Sequence, residues 1–209
     1  MWHRPAQLCI AGGQDYTPAM RDERIPGGDP MKRWIASAGL VLMAAHARGQ
    51  QPAMPAFPRS AGKDLNGRAL ALPRDFAGPV NLLFVAFERR QQAEVDTWIS
   101  FAQEMQAAHP GLATYELPTI GRAWGLIRGF IDGGMRSGIP DTEVRASTVT
   151  LYLDVRSFCR ALGVTSTKTI AVLLVTRNGE ILALGTGPYS PETAAPLAAA
   201  LASALAAAN

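Results

Sequence analysis

Few residues in this 209-residue chain are equipped for covalent or metal chemistry, and their spacing narrows the choice further. The two cysteines, Cys9 and Cys159, lie too far apart in sequence for a zinc cluster and are too few for a disulfide framework. His3, His46 and His109 stand alone, so neither a histidine metal site nor a nucleophile–histidine–carboxylate triad can be assembled. Cys159, between Arg156 and Arg160, is the one candidate nucleophile: nearby arginines would favour a reactive thiolate, whereas Phe158 and Leu162 beside it suit a small buried hydrophobe. Arg89-Arg90, just after an apolar run, could bind an anion or form solvated surface. Tyr115-Glu116 is expected at the end of a central strand, the usual ligand edge of an open α/β sheet. Arg136, Asp141, Glu143 and Arg145 fall in a Gly/Pro-rich stretch read as a loop, where arginine could grip a carboxylate or pin the loop through an internal salt bridge. Gly185-x-Gly187 lacks the further glycine of a dinucleotide site.

The elements that must position these groups alternate. Leu65 to Arg68 has turn chemistry, and Leu70 to Leu72 suits a short edge strand ended by Pro73. Val80 to Phe87 is a nearly unbroken apolar run of strand length, as expected for a strand covered on both faces. Residues 92–107 predict a helix with Val95, Trp98, Ile99 and Met105 on its apolar stripe. A strand over Leu112 to Leu117, closed by Pro118, follows. Residues 120–135 carry Ile120, Trp124, Ile127, Phe130 and Ile131 at helical spacing, with Gly133-Gly134 as the expected stop. Thr148 to Leu153 predicts a strand, Asp154 an N-cap, and the residues to Leu162 a short helix. Two strands, Ile170 to Thr176 and Glu180 to Leu184, flank the hairpin turn Arg177-Asn178-Gly179. Ser190-Pro191 opens a last, alanine-rich helix with Leu197, Leu201 and Leu205 along one side. The order β-α-β-α-β-α-β-β-α predicts a three-layer α/β domain: a mixed central sheet flanked by helices over residues 57–209.

Three segments resemble the thioredoxin-like superfamily, in its peroxiredoxin and cytochrome-maturation branches. They are Asp64 to Arg68 with Val80 to Phe87, then Leu151 to Asp154 with Leu162 to Val164, and Ile170 to Ile181 around Asn178-Gly179-Glu180. The resemblance implies a thioredoxin-like fold with its chemistry just after the first core strand. A cysteine there would have its thiolate favoured by the helix start. This chain reads Phe87-Glu88-Arg89-Arg90-Gln91-Gln92 at that place, and Thr165 to Thr169 lacks the proline the superfamily carries before its closing hairpin. Tyr115 to Pro118 and Asp132 to Ile139, with Trp98 in the first helix, are more narrowly similar to the mitochondrial ATP-synthase assembly-factor family of the "ATP-ten" type and its bacterial relatives. That resemblance implies a redox-inactive fold that binds a client protein or ligand. A single-cysteine thiol peroxidase or oxidoreductase using Cys159 is the alternative.

The N-terminus predicts export. Met31-Lys32-Arg33 is basic, Trp34 to Ala45 is an apolar run, and Ala45-His46-Ala47 fits signal-peptidase cleavage, so residues 31–47 read as a signal peptide. Residues 1–30 show no helical or strand period and are expected to be a gene-model extension; residues 48–56 are a flexible Pro/Ala-rich lead-in. The expected location is periplasmic or secreted. No stable membrane span is expected after signal cleavage, because no run of 18 apolar residues exists. The net charge of +3 without clustered basic residues and interleaved aromatics points away from nucleic acid. No cofactor is implied, and the expected partner is a client protein or small ligand. Exposure of Trp124 and Phe130 would favour a protein partner.

Overall fold

A computed structural model describes residues 56–206. The expected extension, signal peptide and almost all of the lead-in lie outside the described residues.

A hairpin opens the domain. β1 (Ser60–Asp64) and β2 (Ala69–Leu72) pair antiparallel across a turn in which Gly67 has φ +94°, a left-handed conformation that glycine takes without strain. Sequence reading missed β1, whose Ser-Ala-Gly-Lys-Asp lacks the alternation of a strand. β3 (Val80–Ala86) is buried along its whole length, as its apolar run requires. The expected helix after it is broken into α1 (Gln92–Asp96) and α2 (Ile99–Ala108). Thr97 causes the break: its N–H and its hydroxyl both donate to the Glu94 carbonyl, closing a tight turn in place of α-helical bonding. The break turns Ile99 to solvent and places Phe101 and Ala102 in the core beside Trp98.

β4 (Leu112–Gly121) runs through Pro118 instead of stopping there. Pairing with β3 ends at Ala86–Pro118, and continuous pairing with β5 (Val149–Leu153) begins at Thr119, so the missing N–H falls where one neighbour hands over to the next. Residues 120–135 do not form one helix. Ile120 belongs to β4, Arg122–Ile127 is a 3-10 segment, and α3 (Arg128–Gly138) continues past Gly133-Gly134. The expected loop over 133–145 is instead the end of α3 and a further helix, α4 (Thr142–Ser147), capped by Asp141. After β5, Asp154 caps α5 (Val155–Leu162) by accepting from the Ser157 N–H at 2.9 Å. β6 (Ala171–Thr176) and β7 (Ile181–Thr186) form the expected hairpin with Gly179 at φ +91°, and α6 (Pro191–Ala206) completes the domain.

The seven strands lie in the order β2-β1-β5-β4-β3-β6-β7. β3, β4 and β5 are parallel, and all other pairings are antiparallel. One face packs Leu83, Leu117, Leu151 and Leu173 against α5 and Phe57. The opposite face packs Phe84, Val172 and Leu174 against Trp98 of the α1–α2 bend and Leu197 and Leu201 of α6. The three layers and the mixed sheet agree with the sequence expectation.

Candidate functional site

The β3–α1 junction is where the resemblance locates chemistry, and here it is a polar lock. Arg89–Gln91 forms a single 3-10 turn leading into α1. Gln91, only 1% exposed, lies at its centre. Its side-chain oxygen accepts from the N–H groups of Phe87 and Glu88 at 2.8 and 3.2 Å, and its amide donates to the Thr167 carbonyl at 2.8 Å. One turn later, a Glu94 carboxylate oxygen accepts from the Thr169 hydroxyl and from the Ile170 N–H. Gln91 and Glu94 thus lash the start of α1 to the segment leading into β6. Arg89 and Arg90 do not converge on an anion site: both are exposed, and Arg90 is turned onto Glu88, its Nε 2.5 Å from the carboxylate.

Tyr115 and Glu116 are neighbours in sequence that serve opposite faces of the sheet. They sit within β4, in register with Leu83 and Phe84, well before the C-terminal edge where they were expected, because β4 continues to Gly121. Tyr115 is buried with its ring centroid 5.1 Å from that of Phe76, and its hydroxyl accepts from the Ala77 N–H at 2.9 Å. It fastens the loop before β3. Glu116 is half-buried on the α1 side; burial raises its carboxyl above the usual range, Gln92 partly offsets this by hydrogen bonding, and Asp96 adds to the rise.

Arg136, Asp141 and Arg145 hold their own backbone. Arg136 Nε donates to the Leu65 carbonyl at 2.6 Å, tying α3 to the β1–β2 turn. Asp141 accepts from the N–H groups of Glu143 and Val144 as the α4 cap. Arg145 Nη2 donates to the Pro140 carbonyl and the Thr142 hydroxyl. The internal pinning considered for this stretch is present, although through carbonyls and a hydroxyl and not through salt bridges.

Cys159 is buried on α5 between Phe158 and Leu162. Burial pushes its thiol above the ordinary value, the reverse of what a nucleophile needs. Among the described residues no three His, Cys, Asp or Glu side chains converge to hold a metal ion.

The segment from Arg122 to Gly138 is unlike the rest of the molecule. Two of its polar residues tie it to the rest of the domain: the Tyr152 hydroxyl on β5 donates to Asp132 at 2.9 Å, and Arg136 reaches the Leu65 carbonyl. Burial and the Asp132 contact both raise the Tyr152 hydroxyl's pKa. Large apolar residues face outward, with Trp124 58%, Leu126 98%, Ile127 46% and Phe130 85% exposed. No residue of α3 or of the 3-10 segment is buried. Sequence reading marked Trp124 and Phe130 as informative if exposed but passed over Leu126, the most exposed of the group. The signal was available in the polar stripe Arg128, Asp132 and Arg136 at every fourth residue, which could belong to either side of the helix. A shallow open cleft of about 450 Å³ between Pro110-Gly111 and Leu205 is lined mainly by small residues and offers only His109 as a polar side chain.

The core elements β3–α1/α2–β4, then β6–β7–α6, with sheet order β4-β3-β6-β7, decide the fold. It is thioredoxin-like. No protein-family model matches the chain, and no curated protein matches it. Among solved structures the chain is similar to a thiol:disulfide interchange protein from Bacteroides sp. at 20% identity, covering 63% of this chain and 80% of that one with a TM-score of 0.45. It is similar to a putative thiol:disulfide interchange protein DsbE from Chlorobium tepidum at 19% identity, covering 71% and 97% with a TM-score of 0.42. It is also similar to a putative electron transfer protein from Aquifex aeolicus at 9% identity, covering 71% and 97% with a TM-score of 0.49. This thioredoxin-like domain has Gln91, not a thiol, at the centre of the β3–α1 junction.

Proposed function

We propose that the protein is an exported, redox-inactive thioredoxin-fold domain that binds a client protein, in the manner of an assembly factor. The outward-facing apolar surface of Trp124, Leu126, Ile127 and Phe130 carries the reading, because a face of that kind is stabilised by a partner that covers it. The junction supports the redox-inactive part: Gln91 and Glu94 fill it with satisfied hydrogen bonds, and the single described cysteine is buried on α5. The signal pattern of residues 31–47 supports export to the periplasm or beyond. The similarity of Tyr115 to Pro118 and Asp132 to Ile139 to the ATP-synthase assembly-factor family supports the assembly role.

The test joins two assays on the full chain. Thiol-dependent disulfide and peroxide reduction is measured for the parent and for Cys159→Ala, with no turnover expected from either. Turnover lost in Cys159→Ala would make the protein a thiol oxidoreductase instead. A photo-crosslinker at Leu126, expressed in the source cells, is expected to trap a discrete protein that Phe130→Ser reduces; no such adduct would remove the client-binding reading. N-terminal sequencing of the exported form is expected to begin near Arg48, and a peptide from residues 1–30 would overturn the assigned start.

A further inference from the structure

The two edges of the sheet, β2 and β7, are finished differently. On β2 the outward N–H of Ala71 donates to the Asp75 carboxylate at 2.7 Å, and the Ala71 carbonyl accepts from the Asp75 N–H at 3.1 Å, so both groups are closed to a further strand. β7 has no such guard. The Gly187 N–H donates inward to the Ile170 carbonyl at 3.0 Å, and the alternation of an antiparallel pair then turns the N–H and C=O groups of Thr186 and Leu184 away from β6. Among the described residues no group hydrogen-bonds to them. Ile181–Thr186 also lacks the charges and prolines that blunt an edge. An open edge of this kind invites association, and native folds manage it by blunting or by pairing.

The open groups are backbone donors and acceptors, so another extended backbone is what completes them. Two strands close at hand fit poorly. Among the described residues this chain's own backbone reaches only the start of β7, where Ala56 bridges Glu180 and the Phe57 N–H donates to the Gly179 carbonyl at 2.7 Å. Pro52 and Pro55 precede it at an odd spacing, so in an extended run one of them would turn its missing N–H toward β7. A second copy, paired two-fold along β7, would bring its own α6 onto the same face of the sheet. α6 lies directly against β7: a Cβ on Gly185 would stand 3.4 Å from the Thr193 carbonyl and 3.7 Å from Leu197. Two such helices over strands about 5 Å apart would be crowded well inside the spacing of roughly 8–10 Å at which helices pack. A lone strand brings no helix. Charge narrows the choice further: β7 carries none, and α6 carries none after Glu192, so a charged side chain set between them would find no partner.

We propose that the outer edge of β7 receives an extended, uncharged segment of another polypeptide, which pairs with the backbone of Leu184 and Thr186 as a further strand of the sheet. This edge lies three strands from β4, away from the apolar residues 124–130, and it stands or falls independently of capture at Leu126.

The probes are three synthetic seven-residue peptides: one alternating threonine and valine, the same sequence N-methylated at two adjacent central residues so that neither of its edges can complete a ladder, and one with lysine in place of threonine. Binding to the full chain is read by fluorescence anisotropy. The threonine–valine peptide is expected to bind at least about tenfold more tightly than either other peptide. Thr186→Pro removes an outward N–H and is expected to weaken that binding about tenfold while lowering the melting temperature by only about 2–4 °C. Hydrogen exchange on the parent chain tests the same edge without a substitution. The Leu184 and Thr186 amides are expected to exchange at least about tenfold faster than the inward Gly185 amide, and to slow when the threonine–valine peptide is added. Equal affinity for the N-methylated peptide, or unchanged binding by a folded Thr186→Pro, would overturn the proposal. Slow exchange at Leu184 and Thr186 in the free chain would overturn it too, by showing the edge already covered by this chain or by a second copy.

Discussion

Replacing Gln91 with alanine tests whether the β3–α1 junction is a structural lock. The side chain is buried and makes three hydrogen bonds, two accepted from Phe87 and Glu88 and one donated to Thr167. Each contributes roughly 0.5–1.5 kcal/mol, and Thr167 and Phe87 are only partly shielded from water, so the loss should come to about 2–4 kcal/mol. A domain of this size melts roughly 2–4 °C lower per kcal/mol, giving an expected drop of about 5–15 °C. Thermal unfolding by circular dichroism measures it, and hydrogen exchange at the Phe87 and Glu88 amides should speed up in step. Gln91→Glu is a sharper control, because a carboxylate cannot donate to the Thr167 carbonyl and would bury a charge facing it. A melting temperature for Gln91→Ala within about 2 °C of the parent would refute the lock, since a buried three-bond residue cannot be that cheap to remove.

Glu116 gives a pH signature. Its carboxyl titrates above the ordinary 4.5 in the folded state, so the folded protein holds that proton more tightly and stability falls as pH rises from 4.5 through the raised value. Glu116→Gln should therefore melt higher than the parent at neutral pH and show no advantage at acid pH; an advantage that grows toward acid would reverse the assignment. Gly78→Ala should cost about 2–4 kcal/mol, because its Cβ would meet three backbone atoms at 2.4–2.8 Å, whereas Gly129→Ala should add about 0.5–1 kcal/mol of stability. Paired urea titrations decide this, and equal effects would refute the packing account. The Cys159 thiol should react with Ellman's reagent at least about tenfold more slowly in native protein than in urea, since burial raises its pKa and blocks access; similar rates would show that α5 opens readily.

Strands and caps were legible because short-range chemistry specifies them. The nearly unbroken apolar run of β3, the Asn178-Gly179 hairpin and the Asp154 cap each need only a few neighbouring residues to form. Punctuation by proline and glycine misled where tertiary pairing decides. Pro118 stays inside β4 because its absent donor falls between two pairing partners, and Gly133-Gly134 stays inside α3 because Asp132 and Arg136 anchor the helix on either side. Arg136, Asp141 and Arg145 look alike whether they bind a ligand or a carbonyl of their own chain; only the acceptor's position distinguishes these, and Leu65 is 71 residues from Arg136.

The exposed apolar residues between β4 and β5 were hardest to see, because an amphipathic pattern does not say which side is inside. Hydrophobic periodicity normally settles the question by assumption: the apolar stripe is taken to face the core. In α3 two specific contacts are polar, Asp132 to Tyr152 and Arg136 to Leu65, while Ile131 and Met135 are half-buried and Phe130 is left exposed. Two features of this segment cost stability in isolation: exposed Leu126 before α3 and Phe130 within it, and the α3 glycines with nothing packed on them. Sites at which local rules are broken together are where function is expected to reside. The β3–α1 junction breaks none: the side chains of Gln91 and Glu94 are hydrogen-bonded within it. The local rules are thus kept at the β3–α1 junction and broken in the segment between β4 and β5, where Leu126 and Phe130 are exposed.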